Sequence, residues 1–209
     1  MNKTPLYTYW EGKMPAYIRM CRKTLLKHHP EAIFLTEDDV KEYKNLPINL
    51  KVDYLKATKV YETGGFWIDA DMIVVKNLRP LFKLLKEHEF IGIPGFFGAQ
   101  KGSPMLKRWI DGMDHVENPT FSSFIQPLLN DPEFKEFGVL TREMICPIYH
   151  TGDSFWHLFE DELIDKYITP NTFVVTLYNS AFSKEFKEMS EDEILSNRWL
   201  ISKMFKQCL

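Results

Sequence analysis

The chain has 209 residues, a formal net charge of −3, 44% hydrophobic residues and 26% charged residues. These are ordinary values for a globular protein, and they give no sign of the strongly charged surface that a nucleic-acid or membrane partner would require. A chain of this length can bury roughly 70% of its unfolded surface, so it needs no disulfide or structural metal to hold a core. We expect one domain spanning residues 1–209.

Cysteine spacing and hydropathy indicate the compartment. The three cysteines, Cys21, Cys146 and Cys208, lie far apart and lack CxxC spacing, which fits a reducing compartment better than a disulfide framework. The N-terminal MNKTPLYTYW has no apolar core of a signal peptide. No stretch reaches the 18 or so uninterrupted apolar residues that a transmembrane helix needs. We therefore expect a cytoplasmic protein.

Strand and helix signals alternate from the N-terminus. Leu6 to Trp10 is short and aromatic, which predicts a first strand. Pro15 suits the first turn of a helix whose apolar residues recur at helical spacing, and Pro30 ends that helix. The segment AIFLTEDDV predicts a second strand that runs into a polar loop.

The same alternation continues through the rest of the chain. A helical pattern from Asp53 to Tyr61 ends at Gly64-Gly65, and Phe66 to Val75 is a β-rich run. EFIGIPGFFGAQ predicts another buried strand with a bend, and TFVVTLYN predicts a late strand. Strands separated by helices indicate an α/β fold with a mostly parallel central sheet.

The C-terminal segment predicts an amphipathic helix at about residues 190–207. Ser190 and Glu193 form a capping-box pattern, and acidic residues precede basic ones, as the helix dipole favours. The apolar residues of one predicted face are Ile194, Leu195, Trp199, Leu200 and Met204. We expect this face to dock on the domain; the alternative is peripheral contact with a membrane.

The run YETGGFWIDADMIVVKNL, residues 61–78, places Asp69 and Asp71 one residue apart in a predicted strand. Residues i and i+2 of a strand face the same way, about 6.5 to 7 Å apart, so both carboxylates would lie on one side. Such a pair is costly to bury unless a cation lies beside it. The pattern predicts a Mg²⁺- or Mn²⁺-bound diphosphate. Alternatively, the strand ends at Ile68 and both aspartates are solvated loop residues.

The longer stretch VDYLKATKVYETGGFWIDADMIVVKNL, residues 52–78, resembles the DXD glycosyltransferases. That family includes capsular polysaccharide synthesis proteins, the α-mannosyltransferase initiators of outer chains and the glucosylating toxins, and its region runs roughly S-D-x-x-R, an apolar helix, then G-G-x-Y-x-D-x-D. The resemblance implies a GT-A-like (Rossmann-like) nucleotide-sugar-binding domain. It also implies a metal-dependent hexosyltransferase of polysaccharide biosynthesis that retains the anomeric configuration.

The resemblance assigns roles position by position. Asp53 matches the aspartate that holds donor sugar hydroxyls, and Lys56 stands where the family usually has arginine. Trp67 replaces a usual tyrosine, and Asp69 matches the carboxylate near ribose and sugar. Asp71 matches the metal ligand and forms the catalytic pair with Asp69. Because lysine cannot make the bidentate fork of arginine, the donor contacts at Lys56 must differ from those of the family.

Two further stretches resemble the family more weakly. In PLYTYWEG, Tyr9 and Trp10 would lie near the nucleotide base; alternatively they are core aromatics. In TLYNSAF, similar to a late H-L-W-N segment, Asn179 would approach the metal and the phosphates, and Ser180 the donor. The alternative is a polar end of a strand.

The acceptor side is less clearly marked. In YHTGDSFWH, His150 and Asp153 are candidates for the acceptor side or for an alternative metal ligand; the simpler interpretation is a loop whose aromatic residues pack inward. The expected partners are a UDP- or GDP-linked sugar, a divalent cation and a glycan or glycolipid acceptor, with no nucleic acid.

Three functions other than a glycosyltransferase are also compatible with a D-x-D pair. A phosphohydrolase of the haloacid-dehalogenase type also places D-x-D after an apolar strand, but near its N-terminus and with Thr or Val where this chain has Ile73. A sugar nucleotidyltransferase usually carries a Gly-rich N-terminal loop, which this sequence lacks. A non-catalytic module that binds a nucleotide sugar is the third. Release of nucleoside diphosphate separates the glycosyltransferase from all three.

Overall fold

The structure is a computed structural model that describes residues 4–114, 139–149 and 153–209. The chain divides into two compact units. Unit 1 comprises the described residues of Met1–Glu11, Ala32–Asp69 and Arg79–Leu140, and unit 2 those of Gly12–Glu31, Ala70–Leu78 and Thr141–Leu209.

Unit 1 contains a mixed five-stranded sheet. Its strands are β1 (Leu6–Thr8), β2 (Ile33–Phe34), β3 (Gly65–Ile68), β5 (Phe90–Ile93) and β6 (Phe96–Ala99). They lie in the order β2-β1-β3-β6-β5. β1 pairs in parallel with β2 and β3, whereas β6 pairs in antiparallel with β3 and β5. The predicted α/β class is confirmed, but the expected mostly parallel sheet is wrong. The connection at Pro94-Gly95 is too short for a crossover, so β5 and β6 form a hairpin.

Within the described residues of unit 1, the sheet is accompanied by the α-helices α2 (Ile48–Thr63), α3 (Arg79–Phe82) and α4 (Pro104–Asp114). α2 is longer at both ends than the predicted helix from Asp53 to Tyr61. It begins directly after Pro47 and continues to Thr63, where Gly64 ends it. Trp67 on β3, Phe97 on β6 and Trp109 on α4 are buried in one apolar cluster. Short 3₁₀ helices occur at Glu37–Tyr43, where the sequence predicted a polar loop, and at Lys83–Lys86.

The Gly64-Gly65 pair joins α2 to β3 with only Gly64 between the two elements. Gly64 ends the helix with a φ of 68°, and Gly65 has a φ of 118°. A Cβ atom on Gly65 would lie 2.6 Å from both the Cγ and the carbonyl oxygen of Pro5. The backbone at both positions therefore requires glycine, and this junction sets the start of the strand that leads to Asp69.

Unit 2 contains α1 (Ala16–His28) and an antiparallel pair of strands, β4 (Met72–Val74) and β7 (Val174–Thr176). Further short α-helices are α5 (Arg142–Ile145), α6 (Lys184–Glu188), α7 (Glu191–Ser196) and α8 (Leu200–Cys208). Short 3₁₀ helices occur at Asp153–Phe159, Ile164–Lys166 and Asn179–Ala181.

The predicted C-terminal helix at 190–207 is in fact two helices. Asn197 and Trp199 have extended backbone (ψ 160° and 151°), which separates α7 from α8. The capping box of Ser190 and Glu193 is present at the start of α7. Docking is confirmed for the core of the predicted face, because Ile194, Leu200 and Met204 are fully buried; Leu195 and Trp199 are half-buried.

The predicted strand from Phe66 to Val75 is also divided. β3 ends at Ile68, residues 70 and 71 form a turn, and β4 begins at Met72 in the second sheet. The expected placement of both aspartates on one face of a continuous strand is therefore wrong. The alternative is confirmed for the end of the strand at Ile68, but Asp69 and Asp71 are half-buried rather than solvated. Aspartate is a poor strand former, and Asp69 and Asp71 extend the pairing of different sheets: the Asp69 N–H donates to the Gly95 carbonyl, and the Leu177 N–H donates to the Asp71 carbonyl.

The three cysteines are buried free thiols. None of the helices that the structure describes is long and apolar enough to cross a membrane.

Candidate functional site

Asp69 follows β3 in unit 1 and is held in a defined orientation. The indole Nε1 of Trp67 donates a hydrogen bond to Asp69 Oδ1 at 2.6 Å, and Trp67 itself is fully buried. Hydrogen bonds to a carboxylate are stronger than neutral ones, and a buried donor ring cannot easily move away. Trp67 thus fixes a half-buried carboxylate at the end of the strand.

Asp53 and Lys56 contact each other on α2. Lys56 Nζ lies 2.6 Å from Asp53 Oδ1, with side-chain exposures of 6% for Lys56 and 23% for Asp53. The ammonium also lies 5.6 Å from the ring centroid of Trp109. Sequence reasoning assigned both residues to the donor but missed their pairing, although a spacing of i, i+3 on a helix favours contact.

Tyr9 and Trp10 follow β1. Tyr9 is buried and its hydroxyl donates to Glu11 Oε2 at 2.7 Å, while Lys51 Nζ lies 2.9 Å from both Glu11 oxygens. Burial and the bond to Glu11 raise the pKa of Tyr9, and the bonds from Lys51 and Tyr9 lower the pKa of Glu11. Trp10 is half-buried, and its Nε1 has no hydrogen-bond partner in the described part of the chain.

Asp71 lies in unit 2 and binds the segment after β7. Its Oδ2 accepts a hydrogen bond from the backbone N–H of Asn179 at 2.7 Å, across 108 positions of sequence. The Tyr17 hydroxyl, on α1, donates to Asn179 Oδ1. The resemblance assigns both Asp71 and Asn179 to a metal, and the two residues are in contact through the Asn179 backbone. Ser180 is exposed beside them in the chain.

Tyr178 shapes the turn that presents Asn179. Its φ of 55° is the only positive value among the non-glycine residues that the structure describes. A bulky residue rarely adopts this conformation, and such strain is concentrated at functional sites. Its hydroxyl contacts the buried thiol of Cys146, and this contact holds the ring in place. The sequence carries no signal of this backbone conformation.

The charge of Asp71 reaches buried neighbours. Burial raises the pKa of Tyr17 and of Cys21, and the negative charge of Asp71 raises both further. A carboxylate has this effect on neighbouring groups where water screens it poorly. Tyr17 was missed by sequence reasoning, because its position on α1 indicates only a core residue.

Another group of possible metal ligands lies elsewhere in unit 2. His157, Glu160 and Glu162 offer ligand atoms within 4.8 Å of one another. His157 Nδ1 lies 2.7 Å from Glu160 Oε2, and Lys166 pairs with Glu162 at 2.5 Å. These partly exposed ion pairs explain the grouping without a cation.

The two acceptor-side candidates have different outcomes. His150 lies outside the described residues. Asp153 begins the 3₁₀ helix Asp153–Phe159, and its side chain is outside what the structure describes. In the same helix Phe155 is buried, as a packed loop predicts, whereas Trp156 is 62% exposed.

The chain matches no protein-family model and no curated protein. The functional assignment therefore depends on the contacts above and on the resemblance of residues 52–78.

Proposed function

We propose that this chain is a metal-dependent glycosyltransferase of GT-A-like fold that transfers a hexose from a nucleotide diphosphate sugar to a glycan hydroxyl. The observation that carries the proposal is the contact between Asp71 and Asn179. Through its backbone N–H, this contact joins Asp71 to the distant residue to which the resemblance gives the same role, and both residues are half-buried, unlike residues of a solvated loop. The strained turn at Tyr178 supports the same location.

The residues around Asp71 fit a hard cation. A carboxylate and an amide oxygen are the ligands that Mg²⁺ and Mn²⁺ prefer. Asn179 Oδ1 accepts one hydrogen bond from Tyr17, and an amide oxygen retains a second lone pair for a cation. A positive ion here would also offset the charge that raises the pKa values of Tyr17 and Cys21.

In the proposed reaction the acceptor hydroxyl oxygen bonds to the anomeric carbon. The bond from that carbon to the diphosphate oxygen breaks, its electron pair leaves with the nucleoside diphosphate, and the hydroxyl proton passes to solvent. A bound Mg²⁺ or Mn²⁺ supplies Lewis-acid stabilisation of the leaving diphosphate. In unit 2, Asp71 and Asn179 would hold the ion. In unit 1, the resemblance gives Asp69, which Trp67 orients, the role of accepting hydrogen bonds from ribose or sugar hydroxyls.

The resemblance also assigns Asp53 and Lys56 of unit 1 to the donor. Asp53 accepts hydrogen bonds from sugar hydroxyls, and Lys56 orients its carboxylate through their ion pair. Because the lysine is almost fully buried, it acts on the donor through Asp53 rather than as the bidentate phosphate ligand that an arginine would be.

Product analysis tests the proposal against its three alternatives. The protein is incubated with Mn²⁺ and a panel of UDP- and GDP-linked sugars, with and without oligosaccharide acceptors. We expect release of nucleoside diphosphate together with an acceptor that has gained one sugar. Three other outcomes would contradict it: phosphate released from a phosphomonoester, nucleotide sugar made from a sugar 1-phosphate and a nucleoside triphosphate, or donor binding without any product.

A further inference from the structure

A cavity of about 360 Å³ lies within unit 2. Five aromatic side chains form most of its wall: Trp156, Phe159, Phe182, Phe186 and Trp199. We name these five residues the aromatic groove. The volume lies in the range of small-molecule sites, which are typically lined by aromatic side chains with a few polar groups.

The rings of the aromatic groove hold one another in place. Phe182 and Phe186 have centroids 4.6 Å apart, and Phe159 meets Trp199 edge to face at 5.5 Å. Trp156 differs, because 62% of it is exposed although it contacts Phe155. An indole that packs on one side and faces water on the other is available to a ligand.

Polar groups occur at the edge of the same cavity. Ser183 and Glu185 line it beside the aromatic rings. Ser183 Oγ accepts the Phe186 N–H, and its hydroxyl bonds the carboxylate of Glu185; hydrogen bonds from the Glu185 backbone and from this hydroxyl lower the pKa of that carboxyl group. The Glu185 carboxylate has further lone pairs and is an acceptor at the edge of the cavity. A sugar ring has an apolar C–H face and a rim of hydroxyls, so it matches aromatic faces bordered by hydrogen-bonding groups. A lipid chain would offer no hydrogen-bond donor to the carboxylate of Glu185.

The cavity that the aromatic groove lines reaches close to Asp71. Ala181 lines the cavity and lies two positions after Asn179, whose N–H is 2.7 Å from Asp71 Oδ2. Two residues span at most about 7 Å. Transfer requires the reacting atoms to approach to about 3 to 3.5 Å, so an acceptor must lie next to the donor.

We infer that the aromatic groove is the subsite for the acceptor sugar, with Trp156 as its exposed stacking surface. This inference rests on the proposed transferase function. It specifies an acceptor whose sugar presents an unsubstituted C–H face, as equatorially substituted pyranoses do.

Ligand-observed NMR of the full chain tests the inference with cellobiose, lactose, chitobiose and mannobiose as probes. We expect saturation transfer to at least one disaccharide, and an increase of about tenfold in its dissociation constant in Trp156→Ala. Trp156→Phe should restore part of the affinity. Leu163→Ala is the matched control, because Leu163 is an equally exposed apolar residue of unit 2 outside the aromatic groove, and it should change nothing. Binding of nucleoside diphosphate with Mn²⁺ should be the same in all variants.

Two results would overturn the inference: no saturation transfer to any of the four disaccharides, or wild-type affinity in Trp156→Ala. Failure of the proposed function gives a different pattern. If a disaccharide binds at Trp156 but no nucleotide sugar is turned over, the aromatic groove is a sugar site and not an acceptor subsite. Turnover that is unaffected in Trp156→Ala would refute the acceptor subsite alone.

Discussion

Asp71 combines two properties that a single substitution can separate. One carboxylate oxygen accepts the backbone N–H of Asn179, and the charge of the group acts on Tyr17 and Cys21. The hydrogen bond stabilises the turn after β7 and needs only an acceptor oxygen. Binding a cation needs the negative charge as well.

Asp71→Asn should therefore remove activity without unfolding the protein. Asparagine keeps the size of the side chain and an acceptor oxygen for the Asn179 N–H, but it is neutral. We expect turnover to fall by about a hundredfold, roughly 2.7 kcal/mol of transition-state stabilisation, with little change in the melting temperature of the ligand-free protein. Transfer rate and melting temperature are measured on one preparation.

The exposed Asp165 of unit 2 provides a control for Asp71→Asn, since Asp165→Asn removes an equal charge elsewhere on the unit. It should change neither quantity. Full activity of Asp71→Asn at saturating donor and low Mn²⁺ would refute the metal-ligand assignment. A higher melting temperature with full activity would indicate that the substitution had only relieved charge repulsion.

Asp53 requires a conservative substitution because of Lys56. An alanine at position 53 would deprive a nearly buried ammonium of a carboxylate at 2.6 Å, and the resulting destabilisation could imitate a loss of function. Asp53→Asn keeps an acceptor oxygen near Lys56. We expect it to weaken binding of the nucleotide sugar about tenfold and binding of the free nucleoside diphosphate hardly at all. Calorimetry that shows equal weakening of both ligands would remove Asp53 from the sugar site.

At the scale of elements, the Gly64-Gly65 junction decides where β3 starts. Gly65→Ala would add a Cβ atom 2.6 Å from Pro5 at a backbone conformation that alanine rarely adopts. We expect the free energy of unfolding to fall by about 3 kcal/mol or more, measured by urea denaturation.

Gly102→Ala is the matched control for Gly65→Ala. Gly102 also has a positive φ, of 76°, but a Cβ atom there would meet nothing within 4 Å. It should cost only about 1 kcal/mol, the strain of the backbone alone. Equal losses in the two variants would show that Pro5 does not restrict position 65.

Elements with local signals could be predicted from the sequence. α1 begins after Pro15, α2 ends at Gly64 and α7 begins at the Ser190 capping box, because each signal acts within one turn of a helix. The division of the apolar run at Ile68 was one of two interpretations that the sequence left open, and no local signal decides between them. The division depends on the distant backbone partners Gly95 and Leu177, which pair with the chain on either side of Ala70.

For the candidate site, too, short motifs mark some residues and leave others unmarked. The resemblance assigns Asp71 and Asn179 to one site because short motifs carry the roles of both, and the two residues are in contact. Tyr17 and the conformation of Tyr178 could not be found this way. A core position on a helix and a single backbone angle have no motif, and both are set by packing within unit 2.

At the scale of the whole molecule, charge predicts how the donor binds. The chain has a net charge of −3, and the resemblance assigns the carboxylates Asp53 and Asp69 to the donor and Asp71 to its metal. A nucleotide diphosphate adds more negative charge. Lys56 is paired with Asp53, so it offers little compensation to the phosphates. The repulsion can be offset by a divalent cation that the donor and the protein share.

Donor binding should therefore depend on a divalent metal. In a thermal-shift experiment, Mn²⁺ alone and nucleoside diphosphate alone should each raise the melting temperature little. Both together, at a ligand concentration 100 times the dissociation constant, should add about 2.7 kcal/mol to the free energy of unfolding. EDTA should remove this gain, and Asp71→Asn should reduce it, whereas Asp165→Asn should leave it intact. An equal affinity for the nucleotide sugar in EDTA and in Mn²⁺, measured by calorimetry, would show that the carboxylates bind the donor without a shared cation.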